Sequence, residues 1–115
     1  MELLFVYGTL KRGCGNHRLM EGAEPLGEAE ARGYTLVVDL LPYAVRAPEG
    51  CRVEGELYAV SRRQLEAVDE LELSAGYVRV RARVEVGGGR AVEAWIYAAP
   101  GLRVGRCLAS RYRCL

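Results

Sequence analysis

One carboxylate of this sequence lies where a helical pattern predicts an apolar face. Glu72 follows Leu65 by seven residues and Val68 by four, so a helix that buries those two side chains also turns Glu72 inward. Burial of an unpaired carboxylate is unfavourable and raises its pKa, which suits a general acid or base. A frayed helix end that reaches water, or an ion pair with an arginine, would explain the same position without catalysis.

The segment Tyr7-Gly8-Thr9-Leu10-Lys11-Arg12-Gly13 has the residue types of an anion-binding turn. It follows the apolar run Leu3 to Val6, which is typical of a buried strand. Gly8 permits backbone angles that a side chain would forbid, and it lets another group approach the main chain. A turn at a strand end can direct several N–H groups at one carboxylate or oxyanion. An ordinary strand-to-turn transition would have the same spacing.

The single histidine and the cysteines offer weaker candidates. His17 follows Asn16, a predicted helix cap, and no neighbouring residues support a Ser-His-Asp arrangement around it. The four cysteines form no CxxC pair, which argues against a zinc site; they are Cys14, Cys51, Cys107 and Cys114. A cytosolic mesophile would keep them as free thiols, whereas a hyperthermophile could form a disulfide, with Cys107–Cys114 the nearest pair.

Length and charge restrict the classes of function. A chain of 115 residues predicts one domain. The formal net charge of +1 argues against a strong field for nucleic acid or anionic lipid. The sequence shows neither an apolar run of membrane-spanning length nor a secretory leader pattern, so we expect a cytoplasmic protein. Monomer and homodimer both remain open.

Periodicity predicts a turn-rich protein with one clear helix. Ser61 and Gln64 fit a capping box, and the helix is expected to run to about Leu73. Strands are predicted at Leu26–Ala31, Tyr34–Val38, Tyr43–Arg46, Val53–Val60, Tyr77–Val86 and Ala91–Ala98. Pro100-Gly101 is expected to end the last strand, after which residues 101–115 either pack as an extension or fray.

The strand Tyr77–Val86 alternates almost perfectly, as expected for a strand with one buried face. Its valines point one way, and its arginines and Tyr77 point the other. Arg79 is placed to pair with Glu72 or with a substrate. With Arg81 and Arg83 it could equally form a solvated face.

Several motifs, in order, resemble the γ-glutamylcyclotransferase-like family. The first is the Tyr7–Gly13 segment with Asn16, followed by Gly27 in the second strand. The others are Val53-Glu54-Gly55-Glu56-Leu57-Tyr58, Asp69-Glu70-Leu71-Glu72, Tyr77-Val78-Arg79 and Trp95-Ile96-Tyr97. The resemblance covers roughly residues 3–98. Leu73 stands where the family usually has glycine, and Val68 where it has leucine.

The resemblance implies a fold and an activity. The fold class is α+β, a strongly curved or barrel-like mixed sheet with a few short helices, formed by residues 1–115 as one domain with 99–115 as a C-terminal extension. The activity is release of 5-oxoproline from a γ-glutamyl amino acid or amine, with Glu72 as general acid/base. Substrate-binding residues would be Tyr7, Gly8, Thr9, Leu10, Tyr77, Tyr97 and Arg79. The reaction requires neither a metal nor an organic cofactor.

Two other classes of function are compatible with the sequence. One is a non-catalytic module on the same fold that binds a small metabolite. The other is a nucleic-acid binder that uses Arg79, Arg81, Arg83 and the arginine-rich tail, which the near-neutral net charge disfavours. We therefore expect a small-molecule substrate, with no nucleic-acid or membrane partner.

Overall fold

Residues 1–114 fold into seven strands, one α-helix and one 3₁₀ helix. The structure is a computed structural model that describes residues 1–114. The strands are β1 (Glu2–Val6), β2 (Glu24–Arg32), β3 (Tyr34–Asp39), β4 (Leu41–Arg46), β5 (Arg52–Val60), β6 (Val78–Val86) and β7 (Arg90–Arg103). The helix α1 spans Arg62–Ser74, and the 3₁₀ helix spans His17–Met20.

Five of the strands close into a barrel. Their order is β1-β5-β2-β6-β7, and β1 also pairs with β7, which completes the circle. The β1–β7 contact is parallel and the other four contacts of the barrel are antiparallel, so the sheet is mixed. The hairpin β3–β4 is attached outside the barrel, where β4 pairs with β7. The predicted mixed, barrel-like α+β fold is confirmed.

Strand β1 is buried on both faces, which explains its uninterrupted apolar sequence. Phe5 belongs to the core inside the barrel, whereas Leu4 and Val6 pack outward with Leu65 and Val68 of α1. Successive side chains of a strand point to opposite faces, so one short strand serves both cores.

Gly55 of β5 allows the backbones of β5 and β1 to approach each other closely. A Cβ there would overlap the carbonyl oxygen of Val6 and the ring of Phe5. A glycine is therefore required where β5 crosses the end of β1.

Half of the predicted capping box is formed. Ser61 Oγ accepts a hydrogen bond from the Gln64 N–H at 3.0 Å, as expected at the start of α1. The Gln64 side chain does not return to Ser61. It donates to the carbonyl oxygens of Leu19 (3.1 Å) and Glu21 (2.9 Å), and so ties the helix to the segment around the 3₁₀ helix.

The helix ends close to the predicted residue. The N–H of Tyr77 bonds to the carbonyl oxygen of Glu72 at 3.1 Å, and Gly76 takes a φ of 97°. This backbone conformation is readily available only to glycine, and it reverses the chain into β6. None of the described helices is long and apolar enough to cross a membrane.

Strand β7 continues through Pro100-Gly101 to Arg103, so the predicted end was wrong. Its antiparallel partner β6 begins at Val78, opposite Ala98. Beyond that point β7 is held by β4, through the pairing of Arg46 with Arg103 and the bond from the Val104 N–H to the Arg46 carbonyl oxygen. Pairing with β4 therefore continues β7 beyond the residue at which its pairing with β6 ends.

Residues 104–114, here called the C-terminal segment, pack against the barrel rather than fray. The Leu36 N–H bonds to the carbonyl oxygen of Ala109, and the Glu54 N–H to that of Ser110, each at 2.7 Å. The buried Thr35 hydroxyl donates to the Ala109 carbonyl oxygen and accepts from the Leu108 N–H. The segment therefore covers part of β3 and β5.

The cysteines form two disulfides, Cys14–Cys114 and Cys51–Cys107. The sequence left free thiols and a disulfide both open, and the pair nearest in sequence, Cys107–Cys114, is not one that forms. The C-terminal segment runs extended along the barrel, which brings Cys107 beside the start of β5 and Cys114 beside the turn after β1. Proximity in sequence therefore did not indicate the partners.

Candidate active site

A cavity opens where β1, β4 and the end of α1 meet. Its walls come from the end of β1 and the following turn, from β4, from the last turns of α1, and from two tyrosines. The lining residues are Phe5, Val6, Tyr7, Gly8, Thr9, Leu10, Asn16, Leu41, Pro42, Leu71, Glu72, Ala75, Tyr77 and Tyr97. Seven of the eight predicted site residues thus surround one cavity. Arg79 does not line it.

Glu72 is half-buried and faces this cavity. Within residues 1–114 its carboxylate makes no hydrogen bond or ion pair. The ion pair between Glu72 and Arg79 that the sequence allowed is therefore not formed, because Arg79 pairs with Asp69. Burial raises the pKa of Glu72 from 4.5 to about 7. The carboxyl group can therefore give up and take back a proton near neutral pH.

The turn after β1 has its carbonyl groups satisfied and three N–H groups available. The Gly8 carbonyl oxygen accepts from the Lys11 N–H (3.1 Å), and that of Thr9 accepts from the Asn16 N–H (2.9 Å). The N–H groups of Gly8, Thr9 and Leu10 donate to no acceptor in the described part of the chain. They lie at the cavity wall, where an anionic group could accept from them.

Asn16 has a different role from the predicted helix cap. It precedes the 3₁₀ helix, but its side chain makes no capping bond there. The Asn16 Nδ2 donates instead to the Thr9 Oγ1 at 2.9 Å, which fixes the turn. His17 also contacts the turn, with its Nδ1 2.9 Å from the Leu10 carbonyl oxygen.

Two tyrosine hydroxyls attach β4 to the barrel beside the cavity. The Tyr7 hydroxyl donates to the Tyr97 carbonyl oxygen at 2.6 Å and accepts from the Ala44 N–H at 2.9 Å. The Tyr77 hydroxyl donates to the Pro42 carbonyl oxygen at 2.6 Å. Burial raises the pKa of both phenols, so both stay protonated at neutral pH.

Arg79 pairs with Asp69, one turn before Glu72 on α1. Its Nε and Nη2 donate to the two carboxylate oxygens at 2.8 and 3.1 Å. The guanidinium lies 4.2 Å from the centre of the Trp95 ring. The hydroxyl of Tyr97 donates to the same Asp69 at 2.7 Å. Sequence reasoning missed Asp69, although its spacing of three residues from Glu72 was a usable signal.

Gly8 is required by space rather than by backbone angle, because its φ is not positive. An added Cβ would lie 3.0 Å from Pro42 Cγ across the cavity, tighter than an ordinary contact. We expect Gly8→Ala to raise KM for the substrate about tenfold by displacing Pro42, with a loss in the free energy of unfolding of about 1 kcal/mol or less.

Gly15→Ala is the matched control, because a Cβ there meets nothing within 4 Å and its φ is also not positive. Its KM should equal that of the wild type. Steady-state kinetics and urea denaturation of both variants test this. An unchanged KM in Gly8→Ala would mean that Pro42 moves freely.

Comparison with known proteins points to one family. A family model described as gamma-glutamyl cyclotransferase, AIG2-like, matches residues 4–112. The chain is 42% identical over 97 residues to the human gamma-glutamylaminecyclotransferase, an alignment that covers 75% of this chain and 63% of that protein. The match to residue 112 shows that the likeness extends beyond residues 3–98 and includes most of the C-terminal segment.

Solved structures have the same fold. The crystal structure of an uncharacterized protein from Pyrococcus horikoshii has a TM-score of 0.74 at 31% identity and covers 96% of this chain and 87% of its own. An AIG2-like protein of Mus musculus has a TM-score of 0.78 at 30% identity, with 87% and 78% covered.

Proposed function

We propose that this chain, which belongs to the gamma-glutamyl cyclotransferase, AIG2-like family, releases 5-oxoproline and a free amine from a γ-glutamyl amino acid or γ-glutamyl amine. The observation that carries the proposal is Glu72. Its carboxylate has no partner in the described chain, its pKa is raised to about 7, and it shares a cavity with the free N–H groups of the turn.

The reaction is an intramolecular acyl transfer. The α-nitrogen of the γ-glutamyl group attacks its own γ-carbonyl carbon, and a C–N bond closes a five-membered ring. The bond from that carbon to the outgoing nitrogen then breaks. The α-nitrogen is an ammonium group before the reaction and a ring N–H after it, so it loses two protons, and the outgoing nitrogen takes up two as it leaves as an ammonium group. Since both reacting groups belong to one molecule, the protein has mainly to hold it in the folded conformation.

Glu72 is suited to carry the proton between the two nitrogens. An α-ammonium group is a weaker acid than a carboxyl group, so a carboxylate with a pKa of about 7 accepts its proton with a smaller penalty than one at 4.5. Once protonated, the same carboxyl group can donate to the outgoing amine. An unperturbed glutamate would be a much weaker base.

The N–H groups of Gly8, Thr9 and Leu10 would hold the negative charge of the substrate. One candidate ligand is the α-carboxylate, and the other is the oxyanion that develops on the γ-carbonyl oxygen. Donors fixed in a turn need no reorganisation as charge develops, which is the source of their catalytic effect. Tyr77 and Tyr97 also line this cavity.

Release of 5-oxoproline from a panel of γ-glutamyl amino acids and γ-glutamyl amines tests the proposal. We expect at least one substrate to give equal amounts of 5-oxoproline and free amine. Saturable binding of the panel without any release would contradict turnover and would favour the metabolite-binding module. Neither binding nor release by the folded protein would contradict both functions.

A further inference from the structure

We infer that Asp69 is a positioning residue that turns the Tyr97 hydroxyl proton away from the cavity, so that the phenolic oxygen accepts a hydrogen bond from the α-ammonium group of the substrate. The inference rests on the proposed function and adds a binding role for the cavity wall that contains Tyr97. It concerns recognition of the reacting nitrogen before it loses its proton.

The direction of the Tyr97 proton follows from the chemistry of its partner. Both oxygens of Asp69 accept hydrogen bonds from the Arg79 guanidinium, and a carboxylate held in this ion pair acts only as an acceptor. In the 2.7 Å contact between Tyr97 and Asp69, the phenol must be the donor. Burial, the bond to Asp69 and the negative charge of Glu72 raise the pKa of Tyr97, so the proton stays on the phenol.

The proton of the Tyr77 hydroxyl is also already used in a hydrogen bond. Its partner at 2.6 Å is the carbonyl oxygen of Pro42, which cannot donate. Tyr77 and Tyr97 both line the cavity, yet neither has a proton left to offer there. Their remaining capacity is that of acceptors, as is that of ionised Glu72.

The cavity lining therefore combines two groups of residues with opposite hydrogen-bonding character. The turn at Gly8–Leu10 supplies N–H donors, and the wall of Tyr77, Tyr97 and Glu72 supplies acceptors. The head group of an α-amino acid is complementary to this arrangement, with its carboxylate on the donor side and its ammonium on the acceptor side. In this orientation the ammonium faces the carboxylate that must deprotonate it.

Asp69 also prevents the Tyr97 hydroxyl from donating a hydrogen bond to Glu72. Without that acceptor, the Tyr97 hydroxyl could rotate and donate into the cavity, where Glu72 is the available anion. Such a bond would occupy a Glu72 oxygen that could otherwise accept from the substrate ammonium, and it would turn the Tyr97 proton into the cavity. The loss of acceptors would weaken binding of a cationic group, although Tyr97 itself remained in place.

The test compares two probes that differ in the ammonium group. L-glutamate carries it, and glutarate is the same chain without it. By isothermal titration calorimetry at pH 7 we expect the wild type to bind L-glutamate roughly tenfold or more tightly than glutarate, the usual effect of a hydrogen bond to a charged group. In Tyr97→Phe and in Asp69→Asn the ratio should fall to about threefold or less.

The double variant Asp69→Asn with Tyr97→Phe should lower the ratio no further than Tyr97→Phe alone, because Asp69 acts through Tyr97. Glu70→Gln, an exposed carboxylate beside Asp69, is the matched control and should keep the wild-type ratio. A merely structural role would weaken both probes together and leave the ratio unchanged.

Three outcomes would overturn the inference. They are equal binding of the two probes by the wild type, a wild-type ratio in Tyr97→Phe, and additive losses in the double variant. Tyr97→Phe keeps the inference testable if Asp69→Asn does not fold. Because binding is measured without turnover, a failure of 5-oxoproline release would contradict the proposed function and not this inference.

Discussion

Replacing Glu72 by glutamine is expected to lower kcat for 5-oxoproline release by about 10²- to 10⁴-fold, the usual contribution of a general acid or base. Glutamine has the same size but cannot carry the proton from the α-nitrogen to the outgoing nitrogen. KM should rise far less than kcat falls, because the N–H groups of Gly8–Leu10 and the two tyrosine acceptors remain and only the charge of Glu72 is lost. Rapid-quench or steady-state measurement of 5-oxoproline gives both constants.

The pH dependence should identify the group that is lost. Glu72 must be ionised to accept the proton, so kcat/KM of the wild type should rise as pH increases through about 7. The phenols of Tyr7, Tyr77 and Tyr97 interact with the charge of Glu72, and their raised pKa values keep them neutral over this range. The acid limb should be absent from the residual activity of Glu72→Gln.

Glu70→Gln is the matched control for this experiment, since Glu70 lies on the same helix and is exposed. It should keep both the rate and the acid limb of the wild type. If Glu72→Gln and Glu70→Gln released 5-oxoproline equally fast, Glu72 would not be the acid/base. A wild-type acid limb near pH 4.5 would contradict the raised pKa.

Stability should change in the opposite direction to activity. The pKa of Glu72 is about 7 in the folded state, against an ordinary value of 4.5. Between these values the folded protein binds more protons than the unfolded chain, so its free energy of unfolding falls as pH rises. Allowing for solvent that reaches the carboxylate, we expect Glu72→Gln to be more stable than the wild type by about 2 kcal/mol at pH 8, and equal to it below pH 4.5. Urea denaturation at both pH values therefore separates loss of catalysis from loss of fold.

The inward-facing placement of Glu72 was predictable from the sequence because it depends only on the spacing of residues within one helix. The spacing of Leu65, Val68 and Glu72 defines one helical face, and the structure buries the two apolar side chains and half-buries the acid. The alternation that predicted β6 is local in the same way. Such periodicities reflect which side of an element faces the core, and they survive without knowledge of its neighbours.

The partners of the site residues were not predictable from such patterns. Arg79 could have paired with Glu72 on the sequence alone, and only the packing of β6 against α1 shows that it pairs with Asp69. The contact of Pro42 with Gly8 joins two segments that do not pair as strands. Closure of the barrel was likewise expected from the family resemblance and not from the strand pattern.

Serine at both members of one disulfide is expected to lower the free energy of unfolding by about 4 kcal/mol for either bridge. Cys51–Cys107 spans 56 residues and Cys14–Cys114 spans 100, and cross-links over such long loops restrict the unfolded chain strongly. A domain of this kind has a total of only about 5–15 kcal/mol. Loss of both bridges should therefore leave much of the protein unfolded at 37 °C.

Although the two bridges should contribute similarly to stability, their effects on the site should differ. Cys14 belongs to the turn that carries Gly8–Leu10, where its N–H bonds to the Lys11 carbonyl oxygen at 3.0 Å. Cys51 immediately precedes β5 and does not line the cavity. We therefore expect the Cys14→Ser, Cys114→Ser variant to raise KM about threefold or more, whereas Cys51→Ser, Cys107→Ser should leave KM unchanged.

Each double variant replaces two cysteines by serine, so a difference between them reflects only which disulfide has been removed. Urea denaturation, steady-state kinetics and thiol titration under denaturing conditions supply the three measurements. Four free thiols in the wild-type protein would contradict both disulfides. Equal KM values in the two variants would mean that the turn keeps its conformation without the Cys14–Cys114 bond, and that the hydrogen bonds of Asn16 and Lys11 suffice to hold its N–H groups in place.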